Sequence, residues 1–119
     1  AQICYVYFHG DNFEQQIEIL DHLKSKTPKS ISLLVISASI NCFLRRWDRA
    51  VLDCNTGLKL DKNNYELQYT KAVALRCMET PDKNDVLEAY RKFLVNAPKD
   101  HRKVPEAYYA MAQWSFSQK

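Results

Sequence analysis

The chain has 119 residues, 46% of them apolar and 26% charged, and only 2 glycines and 4 prolines, so it lacks the turn chemistry of a sheet-rich fold and reads as all-helical. Its formal net charge is +3, and Lys, Arg, Asp and Glu are interspersed, which usually marks a solvated surface and only weakly a nucleic-acid footprint. No apolar run reaches the roughly 18 residues a membrane span needs, since Ser32, Ser37 and Ser39 interrupt the longest, and no signal-peptide pattern is visible; the chain is expected to be soluble.

In chain order, residues 1–9 (AQICYVYFH) predict a helix that is apolar on nearly every side and has no capping residue. That pattern is expected where a fragment starts inside a longer solenoid. Gly10, Asp11 and Asn12 predict a turn, and residues 13–26 a second helix with Phe13, Ile17 and Leu20 inward. Thr27 and Pro28 are expected to cap and start the third helix, placed at 30–45, whose Ser37, Ala38 and Ser39 offer small side chains for a close helix approach. Arg45, Arg46 and Trp47 are read as its closing turn.

The segment 47–64, WDRAVLDCNTGLKLDKNN, carries the clearest pattern: Trp47, Ala50, Val51, Cys54 and Leu58 share one helical face, and Asp61 to Asn64 stop it. Trp47, Ala50, Val51 and Cys54 are expected to be buried against the neighbouring first helices. Gly57 costs a helix about 1 kcal/mol against alanine, so a close helix contact is expected there. A further hairpin follows from 65–78 and 83–96, separated by Thr80, Pro81 and Asp82 as breaker and N-cap, with Val86, Tyr90, Phe93 and Ala97 on one face. After a polar connection over 98–103, Pro105 starts a last helix.

The pattern repeats. Moved back 34 residues, Trp47, Val51, Cys54 and Leu58 fall on Phe13, Ile17, Leu20 and Lys24; moved forward 36, Leu87, Tyr90, Leu94 and Pro98 occupy matching places. A period near 34 residues predicts stacked helical hairpins, a solenoid whose repeats touch only their neighbours.

These residues resemble the tetratricopeptide repeat family: small residues at Cys4, Ala38, Ala72, Ala112 and Ala50, aromatics at Tyr7, Phe13 and Trp47, and prolines at Pro28 and Pro98 fit its pattern. Gln16, Asn41, Lys62, Leu75 and Val86 depart from it. The resemblance covers nearly the whole chain as about three and a half degenerate repeats, and the central repeat looks like those of chaperone adaptors and immunophilins. It implies an all-α right-handed solenoid of antiparallel hairpins, and a non-enzymatic scaffold that binds a protein or peptide partner. In chaperone adaptors a clamp of lysine, asparagine and arginine holds the terminal carboxylate of an Hsp70 or Hsp90 tail. The corresponding places here hold Ala1, Tyr5, Ile36, Glu66 and Thr70, which cannot supply charge-assisted bonds, so that mode is not supported.

First helices of such hairpins line the concave face, which the resemblance implies for Tyr5, Phe8, His9, Val35, Ser39, Phe43, Tyr69, Val73, Arg76, Tyr109, Gln113 and Phe116. The candidate partner-binding residues are Tyr5, Phe8, Tyr69, Arg76, Tyr109, Gln113 and Phe116, aromatics and polar tips on an otherwise packed face. Two readings compete with the scaffold. One is an RNA-binding helical repeat using Arg45, Arg46, Lys99, Arg102 and Lys103, disfavoured because those clusters are expected at opposite ends of hairpins. The other is an accessory domain of a larger enzyme or co-chaperone. Truncated ends could also pair two copies.

No catalytic residue, metal site or cofactor is expected. His9, His22 and His101 fall in different repeats, and two glycines cannot build a phosphate loop. Cys4 and His9 lack two further ligands for a metal. Cys4, Cys42, Cys54 and Cys77 form no CxxC pair and read as reduced core thiols, so a cytoplasmic setting is expected and a nuclear one is compatible.

Overall fold

A computed structural model describes residues 13–27 and 29–116. The expected first helix at 1–9, with Cys4, Tyr5, Phe8 and His9, lies outside the described residues, as do Pro28 and the side chain of Phe13. Six helices and no strands form among the described residues: α1 Phe13–Lys26, α2 Ile31–Phe43, α3 Trp47–Leu60, α4 Tyr65–Arg76, α5 Lys83–Asn96 and α6 Val104–Phe116. Each helix packs on the next in sequence, and α2 also packs on α4, as in a stack of antiparallel hairpins. None of these helices is long and apolar enough to cross a membrane.

Local chemistry sets the helix ends. Ser30, Asn64 and Asp82 are the N-caps of α2, α4 and α5; their side-chain oxygens accept from the amides of Leu33 (3.2 Å), Leu67 (3.0 Å) and Asp85 (3.1 Å). Thr27, expected to cap α2, instead donates to the carbonyl of Leu23 at 2.9 Å and closes α1. The turn after α2 is Leu44 to Arg46, since Trp47 already belongs to α3. Arg45 takes φ 62°, and the amides of Arg45 and Arg46 reach back to the carbonyls of Cys42 (3.0 Å) and Asn41 (2.8 Å). This is a Schellman closure with an arginine where glycine is usual.

The core runs along the inner faces of the stack. Its largest part joins Ala72, Val86, Ala89, Tyr90, Phe93, Ala97, Ala107 and Ala110 across α4, α5 and α6, and a smaller one joins Ala38, Cys54 and Leu67 across α2, α3 and α4. Ala38, expected to let helices approach, is fully buried, as are Ala50 and Ala72, the small residues that fit the family pattern. Gly57 does the same for α3 and α4: a Cβ there would stand 2.5 Å from Cδ1 of Leu67, which is itself fully buried.

Three expectations change. Trp47 and Val51 are only half-buried, because α3 turns Ala50, Asp53, Cys54 and Gly57 most deeply inward. Ser37 is not merely small, since its hydroxyl donates to Asp53 at 2.5 Å. Ala112 is exposed, because Ala107 and Ala110 are the residues of α6 that pack on α5.

The Asp53 network is the polar counterpart of this core. The Asp53 carboxylate on α3 also accepts from Asn41 Nδ2 (3.0 Å) and pairs with Lys24 Nζ (3.0 Å), so one buried acid ties α1, α2 and α3 together.

Candidate groove on the inner helix face

At 100° per residue, Glu66, Tyr69 and Thr70 fall on one side of α4, and Val35 and Ser39 fall together on α2. These two faces, with Phe93 of α5 and residues 101–103 of the α5–α6 connection, enclose an open groove of about 320 Å³. Tyr69 is its central aromatic. Its ring packs on Phe93 (centroids 5.3 Å apart) and edge-on to Tyr90 (6.2 Å), and Lys103 Nζ lies 5.5 Å above it.

The tip of Tyr69 is tied to α6, where its hydroxyl donates to the Glu106 carboxylate, which Lys103 Nζ approaches at 3.3 Å. Burial, then the bond to Glu106, pushes the Tyr69 phenol well above its ordinary pKa. The same bond, reinforced by Lys103, holds Glu106 below the usual carboxylate range. His101 is a packing residue, as lone histidines usually are: its ring stands edge-on to Tyr65 (5.5 Å) and Phe93 (5.4 Å), and Nδ1 accepts from the Lys103 amide at 3.1 Å.

A pH test follows. Because folding lowers the Glu106 pKa, its stabilisation is present above the ordinary value of 4.5 and fades as pH falls through the lowered one. Tyr69→Phe is therefore expected to cost about 1 kcal/mol at neutral pH, and that cost should shrink toward zero in acid. Urea titrations of both proteins at several pH values measure it; a pH-independent difference would mean the bond to Glu106 contributes nothing.

The structure distributes the sequence-derived candidates unevenly. Tyr69, Val35 and Ser39 line the groove. Arg76, at the end of α4, lies beside the Tyr90 phenol, which burial raises in pKa and Arg76 partly lowers again. Neither Arg76 Nε nor the Tyr90 hydroxyl has a hydrogen-bond partner among the described residues. Tyr109, Gln113 and Phe116 stand exposed on α6, Tyr109 and Phe116 at 66% and 87%, and do not line the groove; Gln113 donates to Tyr109 at 3.4 Å. Phe43 is also largely exposed, at 60%. Tyr5 and Phe8 lie outside the described residues.

Sequence reasoning missed His101, Arg102, Lys103 and Glu106 as groove or near-groove residues, and placed Glu66 and Thr70 only at the positions of a clamp it did not support. It set Arg102 and Lys103 apart from the aromatic face; the α5–α6 connection instead folds them onto it. The period of the repeat gave no signal for this, since the connection is where the period breaks.

The groove offers an aromatic wall, small hydroxyl side chains at Ser39 and Thr70, and charges of both signs at Glu66 and Arg102, features that suit a peptide. Nearby thiols are poor nucleophiles: burial pushes Cys42 up to about 11 and Cys54 up to about 12. Among the described residues, no group of three or more His, Cys, Asp or Glu is arranged to hold a metal.

No protein-family model matches the sequence, and no curated protein matches it. Among solved structures, the chain is similar to the first TPR domain of Spaghetti (RPAP3) bound to the HSP90 peptide SRMEEVD, with TM-score 0.81 and 18% identity over 96% of this chain and 86% of that one. It is also similar to the first TPR domain of human RPAP3, with TM-score 0.77 and 17% identity over 98% of this chain and 93% of that one. The chain has the tetratricopeptide repeat fold, an all-α solenoid of helical hairpins.

Proposed function

We propose that this chain is a non-enzymatic protein-interaction module that takes a segment of a partner protein in the groove between α2, α4 and the α5–α6 connection. The observation that carries this reading is Tyr69. Its ring is fixed by Phe93, Tyr90 and Lys103 and its hydroxyl by Glu106, so it presents a rigid aromatic face beside an open groove at little entropy cost. Exposed Tyr109, Gln113 and Phe116 add area on α6 for a longer segment, and Arg76 a charge at the end of α4. A protein of the same fold carrying an HSP90 peptide supports peptide binding as the kind of work this scaffold does.

The mode of capture is proposed to differ from a carboxylate clamp, because Glu66 and Thr70 stand on the groove wall at positions where a clamp needs cationic side chains. The peptide SRMEEVD is therefore expected to bind weakly, and no more weakly when its terminal carboxylate is amidated. Calorimetry with both forms decides it; tight binding that amidation abolishes would establish a clamp. For the groove itself, Ser39→Trp fills the space without removing a packed side chain, since Ser39 is exposed. That variant should keep its helicity and lose the partner, and undiminished binding would remove the groove from the mechanism.

A further inference from the structure

We propose that the opposite side of α4 carries a second, independent peptide site, which takes an acidic segment of a partner protein bearing apolar side chains. Gln68, Lys71 and Leu75 point from α4 away from Tyr69, and together with α3 and α5 they enclose a groove of about 730 Å³.

Three observations give this groove its ligand chemistry. Gln68 lines it and is only 4% exposed, yet its side-chain amide makes no hydrogen bond to the described residues. That amide is not one of the sealed polar groups left without a partner, so it meets solvent in the groove, where it offers a donor and an acceptor to an entering peptide backbone. Leu52, 65% exposed, and Leu75 supply apolar contact for a partner's side chains. The charge left over is positive. Glu88 is held by Arg91 (2.5 Å) and Lys92 (3.8 Å), whereas Lys59, Lys62 and Lys71 form no ion pair with any described residue. Asp85, at the first turn of α5, is the remaining acid on the lining.

Unpaired lysines around an apolar floor fit an acidic, leucine-bearing segment. Nucleic acid fits less well, because no aromatic side chain lines this groove and bases would have nothing to stack on. The site shares no lining residue with the groove around Tyr69, so either can fail alone.

The test is a titration of the ¹⁵N-labelled protein with a short, end-capped peptide of alternating Glu and Leu. Expected are shifts at Leu52, Lys71, Lys92 and the Gln68 side-chain amide, with Ser39 and Lys103 unmoved. Lys59→Glu combined with Lys71→Glu, surface changes that leave the core untouched, should weaken binding by about tenfold or more. Gln68→Leu should keep the fold, since no internal hydrogen bond is lost, and should also weaken binding. The proposal is overturned if no shifts appear at millimolar peptide, if they gather at Ser39, Tyr69 and Lys103, if a Lys–Leu peptide binds as well, or if a single-stranded oligonucleotide produces the same map more strongly.

Discussion

Asp53→Ala is expected to destabilise the protein by about 3 kcal/mol, the cost of removing a buried carboxylate that satisfies two buried donors and a partly buried lysine. Asp53 is 5% exposed, and its carboxylate receives Ser37, Asn41 and Lys24 from two other helices. Without it, the Ser37 hydroxyl and Asn41 amide are left in the core with nothing to donate to, and Lys24 loses its buried partner. Ser37→Ala alone should cost only about 1 to 2 kcal/mol, because Asp53 keeps two donors. Urea denaturation followed by far-ultraviolet dichroism gives both numbers, and a loss under about 1 kcal/mol for Asp53→Ala would show that α1, α2 and α3 hold together by apolar packing alone.

Phe93→Ala is the second large effect, at about 3 to 5 kcal/mol for an aromatic removed from a packed interior. Phe93 is fully buried and meets the rings of Tyr65, Tyr69 and His101, so its loss opens a cavity among α4, α5 and the α5–α6 connection. It also forms part of the groove around Tyr69, and the variant should therefore lose partner binding along with stability. Phe93→Leu fills most of the space and should fall between. By contrast Trp47, the most conspicuous aromatic of the repeat pattern, is half-buried and should cost less on truncation than Phe93.

The two residues differ in how far the sequence announces them. Phe93 sits on a face with Val86, Tyr90 and Ala97, and helical spacing is enough to place all four inside. Cap chemistry was equally legible at Asp82, where a short polar side chain precedes a helix by one residue. Asp53 was not legible. Its partners lie 12, 16 and 29 residues away on other helices, and a carboxylate on an apolar helical face carries no local mark of who will satisfy it. The family resemblance also placed Ala112 among the small packing residues of α6, whereas Ala107 and Ala110 are buried, because several small residues allow more than one packing side and only contact with α5 selects between them. For the groove, Tyr69, Val35 and Ser39 followed from position within the hairpin, whereas His101, Arg102 and Lys103 depend on how an irregular connection folds back.

The claim that most needs testing is that the groove beside Tyr69 holds a segment of another protein. Photo-crosslinking from position 39 tests it directly: a benzophenone amino acid replaces Ser39, an exposed residue on the groove wall, and Asn55 on the opposite groove serves as the control position. The account predicts that position 39 repeatedly captures the same segment of one partner, that position 55 does not capture that segment, and that nuclease leaves the product intact. Absence of a defined product from position 39, or a product that nuclease removes, would contradict it.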